Sequence, residues 1–179
     1  MWWRRLLKTA QASSVVPLHV GRSPLVLYTD AEGNGGIGMV LSQDPSHVLW
    51  TSTRAVPAFL ELLLPRRTQI HALELVALPL ALRQWEALCR GRDVICFIDN
   101  ASALGALRKG SSSAADLNAL AFTTLALAAS MTSSLFLHWV PSALNIADPP
   151  SRGTPPPLGE RADFGASWAD LIISFKPLI

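Results

Sequence analysis

Four carboxylates in this chain lie where predicted core elements end or turn. Asp30 and Asp99 each end an apolar run of strand length. Glu74 lies inside a stretch with helical spacing, and Asp148 follows a turn. Such elements can project all four side chains toward one rim, where their mutual repulsion is tolerable only if divalent cations neutralise it. The set is therefore typical of a nuclease site that holds two metal ions.

Each of these carboxylates also has an ordinary structural interpretation. Asp30 could cap a turn at a strand end, and Glu74 could be a solvated helix residue. Asp99 could cap the helix that follows it, and an aspartate before a proline, as at Asp148, is common in plain loops. We favour the site role for all four, because Asp30 ends a strongly apolar run and Glu74 has leucine on both sides.

The composition limits the fold and the function classes. The 179 residues fit one domain of ordinary size, 50% of them are hydrophobic and 16% are charged. These values argue against disorder and favour an α/β architecture with a sheet buried on both faces. The net charge of +2 and the pI near 8.8 are too mild to identify a nucleic-acid binder by electrostatics alone.

Cysteine usage and hydropathy argue against three further classes. Cys89 and Cys96 form no CxxC pair, so we expect reduced intracellular thiols rather than zinc or a disulfide framework. The first residues contain no apolar run long enough for a signal peptide, so secretion is not indicated. Residues 117–140 are strongly apolar, but polar side chains interrupt them, and we predict a buried helix followed by a buried strand rather than a membrane span.

Apolar periodicity predicts five strands and three main helices. The predicted strands cover residues 25–29, 37–42, 47–53, 93–98 and 135–140. The predicted helices cover residues 69–89, 101–108 and 114–131. Glycines within 33–36 are expected to supply positive φ in a hairpin turn, and Pro79 is expected to kink the first helix. Asn145 is expected to cap a brief helical turn near the end of the domain.

The four acidic residues belong to short motifs that occur in a fixed order. The motifs are Tyr28-Thr29-Asp30-Ala31, Glu74-Leu75, Phe97-Ile98-Asp99-Asn100, and an ending with Val140-Pro141-Ser142, Asn145-Ile146-Ala147-Asp148 and Ser151-Arg152. Over roughly residues 25–153 the chain resembles the ribonuclease H family, and specifically the ribonuclease H domain of a retroelement reverse transcriptase, of the LTR or tyrosine-recombinase type. Trp2-Trp3 and the basic stretch after it are similar to the connection upstream of that domain in tyrosine-recombinase elements.

This resemblance implies both a fold and an activity. The fold would be α/β, ribonuclease H-like, with a mixed five-stranded sheet flanked by helices. The activity would be Mg²⁺-dependent cleavage of the RNA strand of RNA/DNA hybrids, with Mn²⁺ as an alternative metal. Asp30 would bridge two ions, and their coordination would be completed by Glu74, Asp99 and Asp148.

The resemblance also implies partners and a division of the chain. The expected partners are the hybrid and the polymerase domain of a reverse transcriptase, with no membrane, and the sequence leaves the compartment open between cytoplasm and nucleus. Residues 1–24 would be an N-terminal connection, residues 25–153 the ribonuclease H-like domain, and residues 154–179 a Pro-rich loop and peripheral tail.

Several features depart from the cellular members of that family. The loop at residues 141–144 lacks the histidine that they carry, and His71 and His138 are expected to be structural. We also expect three tryptophans to lie in the core rather than to serve as stacking platforms, namely Trp50, Trp85 and Trp139. Five arginines are candidate phosphate contacts, with ordinary solvated surface as the default interpretation: Arg66, Arg67, Arg83, Arg90 and Arg92.

Two other functions compete with hybrid cleavage. Asp30-Ala31-Glu32 resembles the Asp-x-Glu of proofreading-type exonucleases, but Ala143 and Leu144 stand where those enzymes carry Tyr or His before the last aspartate. The chain could instead be a catalytically inactive, retroelement-derived module that keeps the fold for binding. All four carboxylates remain in this chain, which favours catalytic competence.

Overall fold

The sheet contains the five predicted strands and one short strand more. The computed structural model describes residues 23–178. Within them the strands are β1 (Leu25–Ala31), β2 (Gly36–Asp44), β3 (His47–Arg54), β4 (Asp93–Ile98), β5 (Ser134–Trp139) and β6 (Glu160–Arg161). Their order in the sheet is β5-β4-β1-β2-β3-β6. The sixth strand, with two exposed residues, is too short to show an alternating pattern in the sequence.

The strand directions bring the ends of two central strands together. Strands β1, β2 and β3 form an antiparallel meander, whereas β4 pairs parallel with β1 and β5 pairs parallel with β4. Thr29 of β1 lies opposite Ile98 of β4. Because the two strands run in the same direction, the residues that follow this pair leave the sheet at the same rim.

Seven α-helices connect these strands within residues 23–178. They are α1 (Pro57–Leu60), α2 (Ile70–Gln84), α3 (Glu86–Cys89), α4 (Ala101–Lys109), α5 (Ala115–Ser130), α6 (Asp148–Ser151) and α7 (Trp168–Phe175). The predicted helix over 69–89 is thus two helices that meet at Trp85, whose ψ of 34° leaves the helical region. Pro79 lies inside α2, which continues through it to Gln84, and the kink expected there stays a prediction.

Most of the core lies between the sheet and helix α2. Residues 72–82 of α2 are all buried, because the helix packs against β1 on one side and α5 on the other. The apolar stretch 117–140 forms α5 and β5 as predicted, but the predicted burial of the strand is wrong, because β5 is an edge strand of the described sheet whose residues are half-buried or exposed. No helix within the described residues is both long and apolar enough to cross a membrane.

A smaller cluster covers part of the other face of the sheet. Val40, Val48 and Trp50 pack there with Ala147, and Tyr28 stacks against Phe97 with ring centroids 4.8 Å apart. Ala147 belongs to the segment after β5. Tyr28 and Asp30 are two residues apart on β1, so their side chains lie on the same face of the sheet. The segment after β5 is therefore held on the face that carries Asp30.

Of the two predicted terminal segments, the structure describes the C-terminal one but almost nothing of the N-terminal one. The predicted N-terminal connection at 1–24 lies outside the described residues, apart from Ser23 and Pro24, which lead into β1. The domain boundary at residue 153 stays a prediction. Contrary to the expected peripheral tail, helix α7 packs into the core, where Leu171 is 1% exposed and Phe175 is fully buried.

One buried ion pair fixes the loop that leads into α2. Arg66 donates to both carboxylate oxygens of Asp116, which is 1% exposed at its side chain, and the backbone N–H of Leu64 donates to the same carboxylate at 3.0 Å. Arg66 is thereby committed to the fold and is not a candidate phosphate contact. For its exposed neighbour Arg67, the role of a phosphate contact stays a prediction.

We expect Arg66→Ala to destabilise the protein by about 3 kcal/mol, because it leaves a buried carboxylate without its cation. The free energy of unfolding in urea would measure the change. Arg67→Ala is the matched control and should stay within about 0.5 kcal/mol of the parent. Equal, small effects of both substitutions would show that the Asp116 pair contributes nothing.

A candidate metal centre at the rim of the sheet

Three of the four predicted carboxylates converge at one rim of the sheet. Asp30 lies near the end of β1, Asp99 directly follows β4, and Glu74 lies on α2. One ligand oxygen from each side chain lies within 4.8 Å of those of the other two. The parallel pairing of β1 with β4 places Asp30 beside Asp99, and the packing of α2 on β1 brings in Glu74.

The carboxylates of this cluster, Asp30, Glu74 and Asp99, are poorly solvated and incompletely bonded. Asp30 and Glu74 are each 4% exposed. Among the described residues, Glu74 Oε2 and Asp99 Oδ1 are buried and accept no hydrogen bond. Buried oxygens without a partner are costly, and a divalent cation would satisfy them. The cluster therefore fits a metal ion in both charge and donor chemistry.

Burial and mutual repulsion favour the protonated forms of two of these groups. Burial raises the pKa of Glu74 to about 9, and the charges of Asp30 and Asp99 add to this shift. Burial also raises the pKa of Asp30 to about 6, against the opposing effect of a hydrogen bond from Ser151. Strongly perturbed carboxylates that share one cleft are a physical sign of a functional site.

Two neutral residues hold the carboxylate of Asp30 in place. The Ser151 hydroxyl donates to Asp30 Oδ2 and to the backbone oxygen of Asp148. Asn145 Nδ2 donates to the backbone oxygen of Thr29 at 3.0 Å and to Asp30 Oδ1 at 3.4 Å. Both donors are buried, with Asn145 3% and Ser151 4% exposed. They orient the carboxylate without contributing charge.

Asn145 caps the turn that leads into α6, as predicted for a brief helical turn. Its Oδ1 accepts from the backbone N–H of Ala147 at 3.2 Å, and its backbone oxygen accepts from the N–H of Asp148 at 3.0 Å. Helix α6 itself begins at Asp148, where Ala147 provides no side-chain cap, and the amide nitrogen of Asn145 reaches β1. The sequence signal for Asn145 and Ser151 was their place in the motif that ends the domain, and spacing alone does not show what they contact.

We expect Ser151→Ala to weaken Mn²⁺ binding by about tenfold, because outer hydrogen-bond partners of metal ligands typically contribute 10- to 100-fold in affinity. Calorimetric titration of the full chain with Mn²⁺ would measure this. Ser174→Ala removes an exposed hydroxyl on α7 that donates to its own helix, and it should leave the affinity unchanged. A Ser151→Ala protein that binds Mn²⁺ like the parent would contradict this role.

The glycines of β2 let the segment that carries Ser151 approach the sheet. A Cβ at Gly38 would lie 2.3 Å from the Ala147 oxygen and 2.4 Å from the Ser151 nitrogen. A Cβ at Gly36 would lie 2.0 Å from the Ser151 oxygen. The turn before β2 takes its positive φ, 96°, from Gly35. Gly36 therefore provides space and not the positive φ expected for it.

Asp148 lies beside the cluster but does not join it. Its carboxylate accepts from Arg152 Nη2 at 2.9 Å and from Arg152 Nε at 3.1 Å. Arg152 Nη1 also lies 3.8 Å from Glu32 Oε1. The charge of Asp148 still contributes to raising the pKa of Asp30. Its predicted role as a metal ligand remains a prediction.

The alternative role of Asp99 as a helix cap is not what the structure shows. The side chain of Asn100 caps α4, since it accepts from the backbone N–H groups of Ser102 and Ala103. The Asp99 side chain is thus left for the cluster. The backbone oxygen of Asp99 accepts from the indole Nε1 of Trp139 at 3.0 Å.

Other predicted roles divide between the core and the surface. Trp50 and Trp85 are buried as expected, but Trp139 is 54% exposed, so its assignment to the core is wrong. Its position at the last residue of an edge strand leaves one side of the ring without a neighbouring strand within the described sheet.

Most of the arginines predicted as candidate phosphate contacts have partners within the protein. Arg83 and Arg90 both pair with Glu86, and Arg92 donates to the backbone oxygen of Ser23. These contacts agree with the default interpretation of ordinary surface arginines.

The histidines expected to be structural lie outside the carboxylate cluster. His71 is half-buried on α2, one turn before Glu74. His138 is exposed on β5, with its ring centroid 5.8 Å from that of Phe97. Neither residue belongs to the group of potential metal ligands formed by Asp30, Glu74 and Asp99.

Comparisons with known proteins show what this architecture is similar to. No family model matches the chain, and no curated protein matches it either. A solved ribonuclease H1, LC11-RNase H1 isolated from compost by a metagenomic approach, superposes with a TM-score of 0.52 at 18% identity, over 70% of this chain and 90% of that one. Ribonuclease H1 from the halophilic archaeon Halobacterium salinarum gives 0.45 at 16% identity, over 71% and 91%.

The first of these likenesses shows a shared fold. A mixed sheet flanked by helices, with this strand order, is the ribonuclease H-like α/β fold, and the predicted fold class is confirmed. Because a fold hosts more than one function, the activity has to be argued from the residues of the site.

Proposed function

We propose that this chain is a divalent-metal-dependent endonuclease of the ribonuclease H type, which cleaves the RNA strand of RNA/DNA hybrids. The observation that carries the proposal is the carboxylate cluster, in which oxygens of Glu74 and Asp99 are buried without hydrogen-bond partners among the described residues. A ribonuclease H-like fold supports it. We further propose Mg²⁺ as the metal, with Mn²⁺ as a substitute, because all the available ligands are oxygens.

In this proposal each residue has a distinct role. The metal would be held by Asp30, Glu74 and Asp99, and bound there it would supply an activated water and stabilise the leaving oxygen. Ser151 and Asn145 hold the Asp30 carboxylate in one orientation. The 2′-hydroxyl distinguishes RNA from DNA as the cleaved strand.

Asp148 would be the fourth metal ligand in this proposal, although its carboxylate is now paired with Arg152. Its carboxylate is bonded to Arg152, which is 56% exposed at its side chain. To bind a metal, Asp148 must release or share this guanidinium. Pairing with Arg152 holds the Asp148 carboxylate beside Asp30 until then.

We also propose that the chain is part, or a remnant, of a retroelement reverse transcriptase. The support is the ending motif, because Asn145 and Ser151 bond to Asp30 while Arg152 bonds to Asp148. The motif residues thus act on the cluster itself. An inactive binding module remains the second candidate, favoured by the position of Asp148 outside the cluster.

The proposal is tested by incubating the full chain with a labelled RNA/DNA hybrid in Mg²⁺ or Mn²⁺. We expect internal cuts in the RNA, abolished by Asp30→Asn and by Asp99→Asn. Asp163→Asn, at an exposed aspartate outside the cluster, is the control for the substitution itself.

Three results would redirect the proposal. A hybrid that stays intact even after a reverse transcriptase polymerase domain is added, with a folded chain that still binds Mn²⁺, would establish the inactive module. Trimming of single-stranded DNA from its end would indicate an exonuclease. Cleavage that appears only when a reverse transcriptase polymerase domain is added would show that this domain holds the substrate.

A further inference from the structure

Trp139 is an exposed aromatic side chain beside the carboxylate cluster. It is the last residue of β5 and is 54% exposed, whereas Trp50 is 8% and Trp85 is 5% exposed. A single exposed apolar side chain is ordinary on its own, so what sets Trp139 apart is where it lies and what lies beside it. The carboxylate cluster alone does not account for this tryptophan.

The indole is held in a fixed place. Its Nε1 donates to the backbone oxygen of Asp99 at 3.0 Å, and Trp139 lies opposite Ile98 in the parallel pairing of β5 with β4. The Nε1–H group is the only polar group of this side chain. Because Nε1 is hydrogen-bonded to Asp99, the exposed part of the ring is apolar, and it lies beside the carboxylate cluster.

Cationic side chains lie along the same edge of the sheet. Arg108, in the last turn of α4, donates to the backbone oxygen of Leu137 at 2.7 Å and is exposed. Leu137 is two residues before Trp139, so the two share one face of β5. Lys109 follows Arg108 and is also exposed. The indole of Trp139 and the guanidinium of Arg108 thus both lie against β5, and the indole is hydrogen-bonded to Asp99.

We propose that Trp139 and Arg108 form a nucleic-acid contact surface that continues from the carboxylate cluster along β5. Trp139 packs against a base or sugar of the bound strand, and Arg108 pairs with its phosphates. This inference rests on the proposed function, because a centre that cleaves a phosphodiester requires a strand passing across it. Because Trp and Arg are also enriched at protein interfaces, it is the place of these two residues beside that centre that favours a nucleic acid over a protein partner.

Binding without cleavage separates this surface from catalysis. The full chain carrying Glu74→Gln is titrated in Mg²⁺ against a fluorescently labelled RNA/DNA hybrid, with anisotropy as the readout. We expect Trp139→Ala in this background to bind about tenfold more weakly, and Trp139→Phe to retain most of the affinity because it keeps a ring. Ile173→Ala, which removes an apolar side chain 69% exposed on α7, should have no effect.

Salt dependence tests the second residue independently. Arg108→Ala is expected to lower the slope of log affinity against log salt concentration by about 1, because one phosphate contact is lost. Trp139→Ala should leave this slope unchanged. A reduced slope with Trp139→Ala, or an unchanged one with Arg108→Ala, would contradict the assigned roles.

A structural role for Trp139 through Asp99 gives a different pattern. If the indole served only to position Asp99, then Trp139→Ala and Trp139→Phe would both weaken Mn²⁺ binding in the otherwise unchanged chain, and hybrid affinity would stay the same. That result, or hybrid binding by Trp139→Ala equal to the Ile173→Ala control, would overturn the inference.

The same titrations separate this inference from the proposed function. If the chain binds a hybrid through Trp139 but never cleaves it, the surface stands and the nuclease proposal fails. If the hybrid is cleaved and Trp139→Ala binds it normally, the nuclease stands and the surface fails. If the chain binds no nucleic acid, the surface is overturned, and cleavage in the presence of a reverse transcriptase polymerase domain then decides the nuclease proposal.

Discussion

Glu74→Gln is expected to make the metal-free protein more stable and to abolish hybrid cleavage. Burial and the neighbouring aspartates raise the pKa of Glu74 to about 9, so at pH 7 the folded chain must take up a proton that the unfolded chain does not hold. Glutamine removes this cost, which amounts to at most about 3 kcal/mol. Its amide can still accept from the Ala31 N–H, as the carboxylate does, and can donate to Asp30 or Asp99.

Stability in the absence of metal should therefore rise while hybrid cleavage is lost. Stability is measured by urea unfolding in EDTA, and activity by cleavage of a labelled hybrid in Mg²⁺. A residue that serves only packing would lose stability on substitution. Asp163→Asn, at an exposed position, should change neither quantity. A Glu74→Gln chain that is less stable in EDTA, or that still cleaves, would refute the assignment.

The raised pKa of Glu74 also predicts how the stability of the metal-free protein depends on pH. Between its ordinary pKa of 4.5 and about 9, Glu74 binds more protons in the folded state than in the unfolded state, so stability falls as the pH rises through this window. Asp30 adds a fall between 3.8 and about 6. We expect Glu74→Gln to flatten the upper part of this profile, and Mg²⁺ to offset the fall in the parent, because the metal binds the ionised carboxylates.

Gly38→Ala is expected to lower cleavage by about 100-fold or more and stability by about 2 kcal/mol. The new Cβ would lie 2.3 Å from one backbone atom and 2.4 Å from another, on Ala147 and Ser151. Backbone atoms cannot move aside by a change of rotamer, so β2 and α6 must separate. The separation withdraws the Ser151 hydroxyl from Asp30 and shifts Asp148, which lies on the same short helix.

The control for this substitution lies in the same hairpin. A Cβ at Gly33 meets no atom within 4 Å, so Gly33→Ala should leave both cleavage and unfolding close to the parent. Steady-state cleavage and urea unfolding of the three proteins would measure the difference. Equal behaviour of Gly38→Ala and Gly33→Ala would mean that α6 can shift without consequence for the site.

The parts of the site that follow from local sequence were predictable. Strand patterns ending at Asp30 and Asp99 predict that both leave the sheet at one rim, once the two strands are parallel neighbours. The helical spacing around Glu74 predicts a helix on the sheet. These patterns lie within a few residues of each carboxylate, where periodicity and turn chemistry act.

The parts that depend on distant contacts were not predictable from the sequence. Ser151 is 121 positions from Asp30, and nothing in its spacing reveals the hydrogen bond between them. The exposure of Trp139 depends on β5 being an edge strand, and the commitment of Arg66 depends on an aspartate 50 positions later. In each case the partner is set by tertiary packing rather than by local pattern.

The hydrogen bonds from Asn145 and Ser151 to β1 also set an order of events during synthesis. The sheet from β1 to β5 and the three clustered carboxylates are all encoded before residue 140, and domains fold as their chain becomes available. Asp30 acquires both of its neutral partners only when Ser151 has left the ribosome. A growing chain can therefore hold the main strands while its centre is still unassembled, so that the centre is completed late in translation, before helix α7 joins the core.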